Sequence, residues 1–378
     1  MRTEHYLDNS ATTPVLREAA EAASRLMLDC FGNPSSLHTR GFLAKKELDA
    51  ARAIVAARLG AQPEEIVFTS GGTEANNLAL FGAANARKRL GRKIVATAVE
   101  HDSVLRVMAG LEGQGFTVEY LRPGPDGRVS EEALAQAIDG ETILVSVMLV
   151  NNETGARFPV EEIAAGLQGR PALFHTDAVQ GFLKVPFTAK SLGADYITIS
   201  AHKVGGPKGI GALYIGGRAK NTLPLFHGGG QESGLRPGTE ATGQIAGFAR
   251  AVELRLARRE EIAAHLAEIS AYARARLGEI PDLRFIGPGD APHILAVSLP
   301  GYPSQNIVGE LGEQGICISA GSACHRGKAS HVLEAMGLDK RTAAGTVRVS
   351  FGPETTREDI DALAEALLAH KNARFPML

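Results

Sequence analysis

The chain has 378 residues, of which 44% are hydrophobic and 22% charged, a composition ordinary for a globular protein with room for two domains. A formal net charge of −2 at pH 7 argues against direct binding to nucleic acid or anionic membranes, no apolar run is long enough to span a bilayer, and no signal peptide is evident. The three cysteines form neither a disulfide framework nor a zinc-type cluster, so no metal site is expected and a reducing cytoplasm is the simplest setting.

Two helices are predicted early in the chain, over about residues 15–28 and 40–58. The loop between them, at 31–38, is rich in polar side chains and can present Asn33 to a ligand. A plain turn explains the same residues equally well, so both interpretations stay open.

The segment 66–77 combines a short buried-type strand with the start of a helix. Gly71 and Gly72 precede the helix, and Thr73 adds a hydroxyl group. Uncovered backbone N–H groups at a helix start, together with the helix dipole, favour a bound anion such as phosphate. The same residues also make an ordinary helix cap, so this pattern alone is a weak indication.

Strands and helices alternate from there to about residue 215, which predicts an α/β fold with a mostly parallel, doubly wound sheet. In such sheets, ligands bind at the carboxyl ends of the strands. Polar side chains recur at the predicted strand ends, at residues 72–73, 101, 152, 177–180 and 200–203. This repeated placement predicts a ligand site at that edge of the sheet.

Lys203 follows a strand of β-branched and aromatic residues at 196–200, and the glycines and proline at 205–207 then turn the backbone. A lysine amine that is partly buried near other cations is a better nucleophile toward a carbonyl group. We therefore expect Lys203 to form a Schiff base with pyridoxal 5′-phosphate (PLP). A solvated surface lysine is the alternative that this residue, taken alone, favours.

A second domain is expected after a glycine-rich stretch at 227–232, which leads into one long helix over about 240–277. The remainder has the short strands and helices of an α+β domain. We expect a large PLP-binding α/β domain at 15–255 and a small α+β domain made of 1–14 and 256–378.

Cys324 lies in a loop of small residues within the expected small domain. His325, Arg326 and Lys328 follow it, and nearby positive charge favours the nucleophilic thiolate form. An incidental exposed thiol is the alternative. Cys317, between two isoleucines, fits a core position instead.

A series of short motifs extends over essentially the whole chain, at residues 7–14, 31–35, 69–77, 100–101, 150–155, 175–180, 200–214, 227–239 and 319–324. In this order they resemble the motifs of the cysteine desulfurases, which are PLP enzymes of fold-type I in the class V aminotransferase superfamily. The closest likeness is to the type that supplies sulfur for iron–sulfur cluster assembly.

The resemblance gives catalytic roles to three residues. Lys203 would bind PLP covalently and later move the proton of the substrate Cα, and Cys324 would take the sulfur as a persulfide. His101 would stack on the PLP ring and move protons, since histidine titrates near neutral pH. A purely structural histidine is the alternative at that position.

The resemblance also implies the cofactor and substrate contacts. Asp177 would pair with the pyridine nitrogen of PLP and Gln180 with its ring oxygen, while Asn152 would contact both ring and substrate. The substrate carboxylate would be bound by Asn33 and Arg348, because arginine offers two parallel donors. The phosphate would be held by Gly72, Thr73, Ser200 and His202, and by Thr239 from the neighbouring subunit of a homodimer.

The implied reaction converts L-cysteine into L-alanine and leaves a persulfide on Cys324 for transfer to an acceptor protein. The loop after Cys324 is shorter than in the iron–sulfur-assembly type, so an iron–sulfur scaffold and a tRNA sulfurtransferase are both candidate acceptors. A selenocysteine lyase, another class V aminotransferase and a non-catalytic sulfur carrier are the alternative functions.

Overall fold

The computed structural model of the protein describes residues 4–321 and 330–377. Its strands are, in chain order, β1 (His5–Tyr6), β2 (Ile66–Thr69), β3 (Lys93–Thr97), β4 (Thr117–Leu121), β5 (Thr142–Ser146), β6 (Leu173–Asp177), β7 (Tyr196–Ser200), β8 (Gly211–Ile215), β9 (Arg284–Ile286), β10 (Ile294–Ser298), β11 (Ile316–Cys317) and β12 (Thr346–Ser350). Its helices are α1 (Arg17–Leu28), α2 (Thr39–Leu59), α3 (Gly72–Arg87), α4 (Asp102–Glu112), α5 (Glu131–Ala137), α6 (Val160–Gly166), α7 (Ala189–Leu192), α8 (Thr242–Ala257), α9 (Arg259–Gly278), α10 (Ser304–Glu313), α11 (His331–Ala335), α12 (Lys340–Ala344) and α13 (Arg357–Ala373). Within these described ranges, none of the helices combines the length and the apolar character needed to cross a membrane.

A seven-stranded sheet forms the centre of the larger part of the protein, in the order β2-β8-β7-β6-β5-β3-β4. The strands from β7 to β4 in this order run parallel, and β8 is antiparallel to both of its neighbours. The predicted α/β fold with a mostly parallel, doubly wound sheet is confirmed.

Both faces of the large sheet are covered. Val145 and Ile197 pack into one buried cluster, whereas their chain neighbours Leu144 and Tyr196 pack into another. Because successive strand residues point to opposite faces, every residue of β5, β6 and β7 is buried. A ligand can therefore reach these strands only at their ends.

The segment around β1 packs with the C-terminal part of the chain. Leu7 belongs to a buried cluster whose other members lie between residues 262 and 367. This second core includes residues of the antiparallel sheet β12-β10-β9 and of β11, which pairs in parallel with β1. The two ends of the chain thus build one core together.

The single long helix predicted over about 240–277 is wrong, because the structure has two helices, α8 and α9, that separate at Arg258. The backbone of Arg258 has φ −113° and ψ 17°, outside the helical range. Phe248 of α8 packs into the core of the large sheet, whereas Ile262 and Leu266 of α9 pack into the second core. The break allows the two helices to serve different cores.

Candidate active site

A cavity of about 290 Å³ lies at the carboxyl ends of β6 and β7. β6 ends at Asp177, and β7 ends at Ser200, immediately before the short turn that carries Lys203. Predicted site residues from several separate stretches of the chain line this cavity, namely Gly72, Thr73, His101, Asn152, Asp177, Gln180, Ser200, His202, Lys203 and Arg348.

The other predicted site residues are not brought to this cavity. Within the described part of the chain, Asn33 and Thr239 do not belong to its lining. Both are exposed, and the Asn33 Oδ1 accepts a hydrogen bond from the Ser35 N–H at 2.9 Å. Cys324 lies outside the described residues. The roles expected for these three residues stay predictions.

The Lys203 side chain contacts the segment that follows β1. Its Nζ donates hydrogen bonds to the carbonyl oxygens of Ser10 at 2.5 Å and Ala11 at 2.8 Å. The Ser10 carbonyl also accepts from the Gln180 Nε2 at 2.9 Å, and the Gln180 Oε1 accepts from the Lys184 Nζ at 3.2 Å. Burial and the positive charge of Lys203 lower the pKa of Lys184 to about 7. These bonds fix both the amine and the carboxamide at the cavity wall.

Two donors orient the Asp177 carboxylate. Its Oδ1 accepts from the Val179 N–H at 3.0 Å, and its Oδ2 accepts from the Asn76 Nδ2 at 2.8 Å. A carboxylate held in this way can pair with a protonated ring nitrogen, which is the role toward PLP that the family resemblance implies.

Another part of the lining fits an anion. Helix α3 begins at Gly72, where N–H groups and the helix dipole favour negative charge. A Cβ atom at Gly72 would lie 2.9 Å from the Val179 Cγ2, so a larger residue would fill this space. The His202 Nδ1 lies 3.1 Å from the Thr12 Oγ1, and burial, followed by the charge of Lys203, lowers the pKa of His202 to about 4. These features fit the phosphate group of PLP.

Arg348 brings a guanidinium group from the second core to the cavity, with only 3% of the residue exposed. Its Nη2 donates to the Asp8 Oδ1 at 2.9 Å and to the Ser319 Oγ at 3.3 Å, and its Nη1 donates to the Asn152 carbonyl oxygen at 2.9 Å. Its Nε has no hydrogen-bond partner among the described residues. The guanidinium group therefore has N–H capacity that its described partners do not use, and Arg348 lines the cavity, so the group suits a ligand carboxylate.

The described residues on either side of Cys324 lie beside this cavity. Ser319 contacts Arg348, and the Ser330 Oγ donates to the Glu153 Oε2 at 2.5 Å. Glu153 is buried and directly follows Asn152, which lines the cavity. Ser319 and Ser330 thus lie close to the site.

Sequence reasoning missed the polar residues that hold the predicted site from behind. Ser10 and Ala11 accept hydrogen bonds from Lys203, and Asn76 donates to both Asp177 and Ser103 at 2.8 Å. One signal for Asn76 was available, because it is a polar residue among the apolar positions of α3.

Comparisons with known proteins find relatives that match nearly the whole chain. The family model for aminotransferase class-V matches residues 5–363. The chain is 41% identical over 367 residues to the putative cysteine desulfurase IscS 1 of Bacillus subtilis (strain 168), which covers 95% of this chain and 96% of that protein. Among solved structures, a NifS-like protein matches with a TM-score of 0.92 at 36% identity, over 98% of this chain and 100% of that one. A structure of SspA in complex with cysteine matches with a TM-score of 0.81 at 36% identity, over 94% and 100%.

Proposed function

The chain belongs to the class-V aminotransferase family and is a PLP-dependent cysteine desulfurase, and on this basis we propose that it removes sulfur from L-cysteine with Cys324 as the sulfur acceptor. One observation carries the proposal. A single cavity is lined by Lys203, Asp177 and Arg348, which supply an amine, a partner for the ring nitrogen and a group for the substrate carboxylate.

PLP, when bound, supplies an electron sink that stabilises negative charge on the substrate Cα. Lys203 would hold it covalently, and the Lys203 Nζ would take the Cα proton of the bound substrate. Asp177 would hold the ring nitrogen and keep it positively charged, and Gln180 would donate to the ring oxygen through its Nε2. The phosphate is held by Gly72, Thr73, Ser200 and His202.

The substrate is oriented by its carboxylate. Arg348 donates to it through the N–H groups that Asp8 and its other protein partners leave available, and Asn152 lines the same cavity. The substrate contact of Asn33, which is not part of that lining, stays a prediction. His101, which lines the cavity, would hold the ring face and move protons during release of the product.

Cys324 carries the sulfur transfer. Its thiolate attacks the substrate sulfur, so that an S–S bond forms while the substrate Cβ–S bond breaks. The electron pair of the broken bond stays with the carbon skeleton, which takes up protons and leaves as L-alanine. The contacts of Ser319 and Ser330 beside the cavity support this role for the segment between them.

The enzyme acts as a homodimer, and the segment 227–239 supports this. The buried Glu232 accepts from Arg52 at 2.6 and 2.7 Å and from the Phe68 N–H at 2.8 Å. Its φ of 47° is unusual for a residue other than glycine, and such strain persists only where the surroundings enforce it. The segment is thus anchored on its own subunit while Thr239 stays exposed, available to the phosphate site of a second subunit.

Exposed apolar side chains near the N-terminus support the same assembly. Several of them lie between residues 27 and 43, namely Met27, Leu28, Phe31, Leu37, Phe42 and Leu43. Contact with a second copy would remove this apolar surface from water.

The separate cores support the division into a large domain at 15–255 and a small domain made of 1–14 and 256–378, since Leu7 packs with residues after 262.

The persulfide on Cys324 passes to an acceptor protein, either an iron–sulfur scaffold or a tRNA sulfurtransferase. The enzyme works in the cytoplasm, where a reducing setting keeps the thiol available, and it contacts neither membrane nor nucleic acid.

The test is to incubate the PLP-loaded enzyme with L-cysteine and a reductant and to quantify alanine and sulfide. We expect equal amounts from the wild type, loss of both products in Cys324→Ser, and no change in the matched control Cys317→Ser. Products that persist in Cys324→Ser would show that Cys324 is not the acceptor and would favour a lyase. A requirement for a keto acid would favour an aminotransferase.

A further inference from the structure

We infer that Asn76 and Ser103 are positioning residues for His101. Through them a chain of hydrogen bonds links Asp177 to His101, and the donor of each bond is fixed, which holds the His101 ring proton on Nε2. The inference rests on the proposed function in that it assigns a state to the His101 side chain of that same site. Both residues are buried, and neither belonged to the site predicted from the sequence.

The direction begins at Asp177, whose carboxylate can only accept hydrogen bonds. The Asn76 atom 2.8 Å from the Asp177 Oδ2 is therefore the amide nitrogen, Nδ2. The Asn76 side chain is completely buried, and its second Nδ2 hydrogen is directed to the Ser103 Oγ at 2.8 Å. Both hydrogens of the amide are thus used, and its orientation is determined.

The contacts of His175 fit this orientation. Its Nε2 lies 3.1 Å from the Asn76 Oδ1 and 3.2 Å from the Thr198 Oγ1, and a proton on Nε2 lets it donate to the amide oxygen, which can only accept. Its Nδ1 lies 2.8 Å from the Ser146 Oγ, which can donate to it. Burial lowers the pKa of His175 to about 4, so the ring is neutral at pH 7 and carries a single N–H, as these contacts require.

The same direction continues from Ser103 to His101. Because the Ser103 Oγ accepts from Asn76, its own hydrogen is available for the His101 Nδ1 at 2.7 Å. The Ser103 backbone N–H also donates to that Nδ1, at 3.1 Å, where His101 caps helix α4. A nitrogen that accepts two hydrogen bonds carries no proton, so the proton of the neutral ring lies on Nε2.

This state limits what His101 can do in the cavity that it lines. A neutral His101 offers a hydrogen-bond donor at Nε2, and it cannot accept a proton there without a change of tautomer. A base for the substrate Cα proton must be another group, and the Lys203 amine lies in the same cavity. By fixing the His101 tautomer, Asn76 and Ser103 make His101 a hydrogen-bond donor and leave the role of base to Lys203.

The test is 15N nuclear magnetic resonance of the PLP-loaded enzyme labelled with [15N]histidine, without cysteine. The His101 signals are those missing in His101→Gln. We expect an unprotonated Nδ1 and a protonated Nε2 in the wild type and in Ser103→Thr, which keeps the hydroxyl group. Ser103→Ala keeps the backbone N–H that donates to Nδ1 but loses the hydroxyl group, and Asn76→Ala removes the donor that fixes the direction of that hydroxyl group. Each variant should therefore show a fraction of the Nδ1-protonated tautomer that the wild type lacks. The matched control is Asn85→Ala on the same helix α3, where the Asn85 side chain donates to the Phe81 carbonyl oxygen, and it should match the wild type.

Alanine release adds a kinetic measurement, in which Ser103→Ala should lower kcat by about tenfold while Ser103→Thr restores it. A wild-type His101 protonated on Nδ1, or an unchanged tautomer in Ser103→Ala, would overturn the inference. The Ser103 variants keep the inference testable if Asn76→Ala fails to fold. Failure of the proposed function gives a different result, because an enzyme that releases no alanine would still show the His101 tautomer.

Discussion

Replacing Arg348 with methionine should weaken the binding of L-alanine, the reaction product, far more than that of ethylamine, which is alanine without its carboxylate. Three donor contacts of the guanidinium go to Asp8, Ser319 and Asn152, so the ligand bond depends on the remaining N–H groups, including Nε. One hydrogen bond to a charged group contributes about 1.5–3 kcal/mol, which corresponds to an increase of about 10- to 150-fold in Kd.

The assay titrates each ligand into the PLP-loaded enzyme and follows the absorbance of the cofactor. The Kd of ethylamine divided by the Kd of L-alanine should fall in Arg348→Met, because only L-alanine has a carboxylate that can bond to Arg348. An equal change for both ligands would refute the reasoning, since it would mean that the substitution disturbs the cavity as a whole.

The control for this experiment is Asp8→Asn, because the same substitution of Arg348 also breaks the ion pair with Asp8 at 2.9 Å. Breaking a buried pair costs about 3–5 kcal/mol, and the partial exposure of Asp8 reduces that cost. Asp8→Asn should lower the midpoint of urea unfolding yet keep the discrimination between the two ligands. Loss of discrimination in Asp8→Asn would assign the effect to the ion pair.

The remaining predictions concern three other groups. Lys203→Ala should release no alanine from L-cysteine and should lose PLP on dialysis. A variant that still released alanine and kept PLP would contradict the covalent role of Lys203. Asp177→Asn should lower kcat for alanine release by about 100-fold or more, because an amide cannot stabilise a positive ring nitrogen. Burial raises the pKa of Glu100 to about 8, so the folded state holds a proton that the unfolded chain releases above its ordinary pKa. The free energy of unfolding should therefore fall as the pH rises from the ordinary pKa of glutamate to about 8. Glu100→Gln should flatten this decline between about pH 5 and about pH 8, as measured by urea midpoints, and a decline identical to that of the wild type would contradict the assignment.

The sheet and its ligand edge could be predicted because their signals are local. The apolar run that becomes β5 and the glycine turn before α3 are each decided by neighbouring residues. Since parallel strands end at one edge, residues as distant in sequence as Gly72 and Lys203 could be expected to meet there.

Other features depend on what packs against a segment, and no local pattern contains that information. The sequence around Arg258 continues a helical pattern, and the chain departs from it because two cores on different sides require two helices. Asn76 likewise can be recognised from the sequence only as a polar residue within a helix. Its role in the site depends on contacts with Asp177 and Ser103, which belong to other elements of the fold.

His101 shows why a structural role and a functional role need not be alternatives. From the sequence, a histidine before a helix is either a cap or a group for chemistry, and the structure shows that its Nδ1 does cap α4. That cap occupies one ring nitrogen with donors and leaves Nε2 to carry the proton. The capping N–H and the Ser103 hydroxyl group thus act together to select one tautomer, and His101 serves the helix with one ring nitrogen and the chemistry with the other.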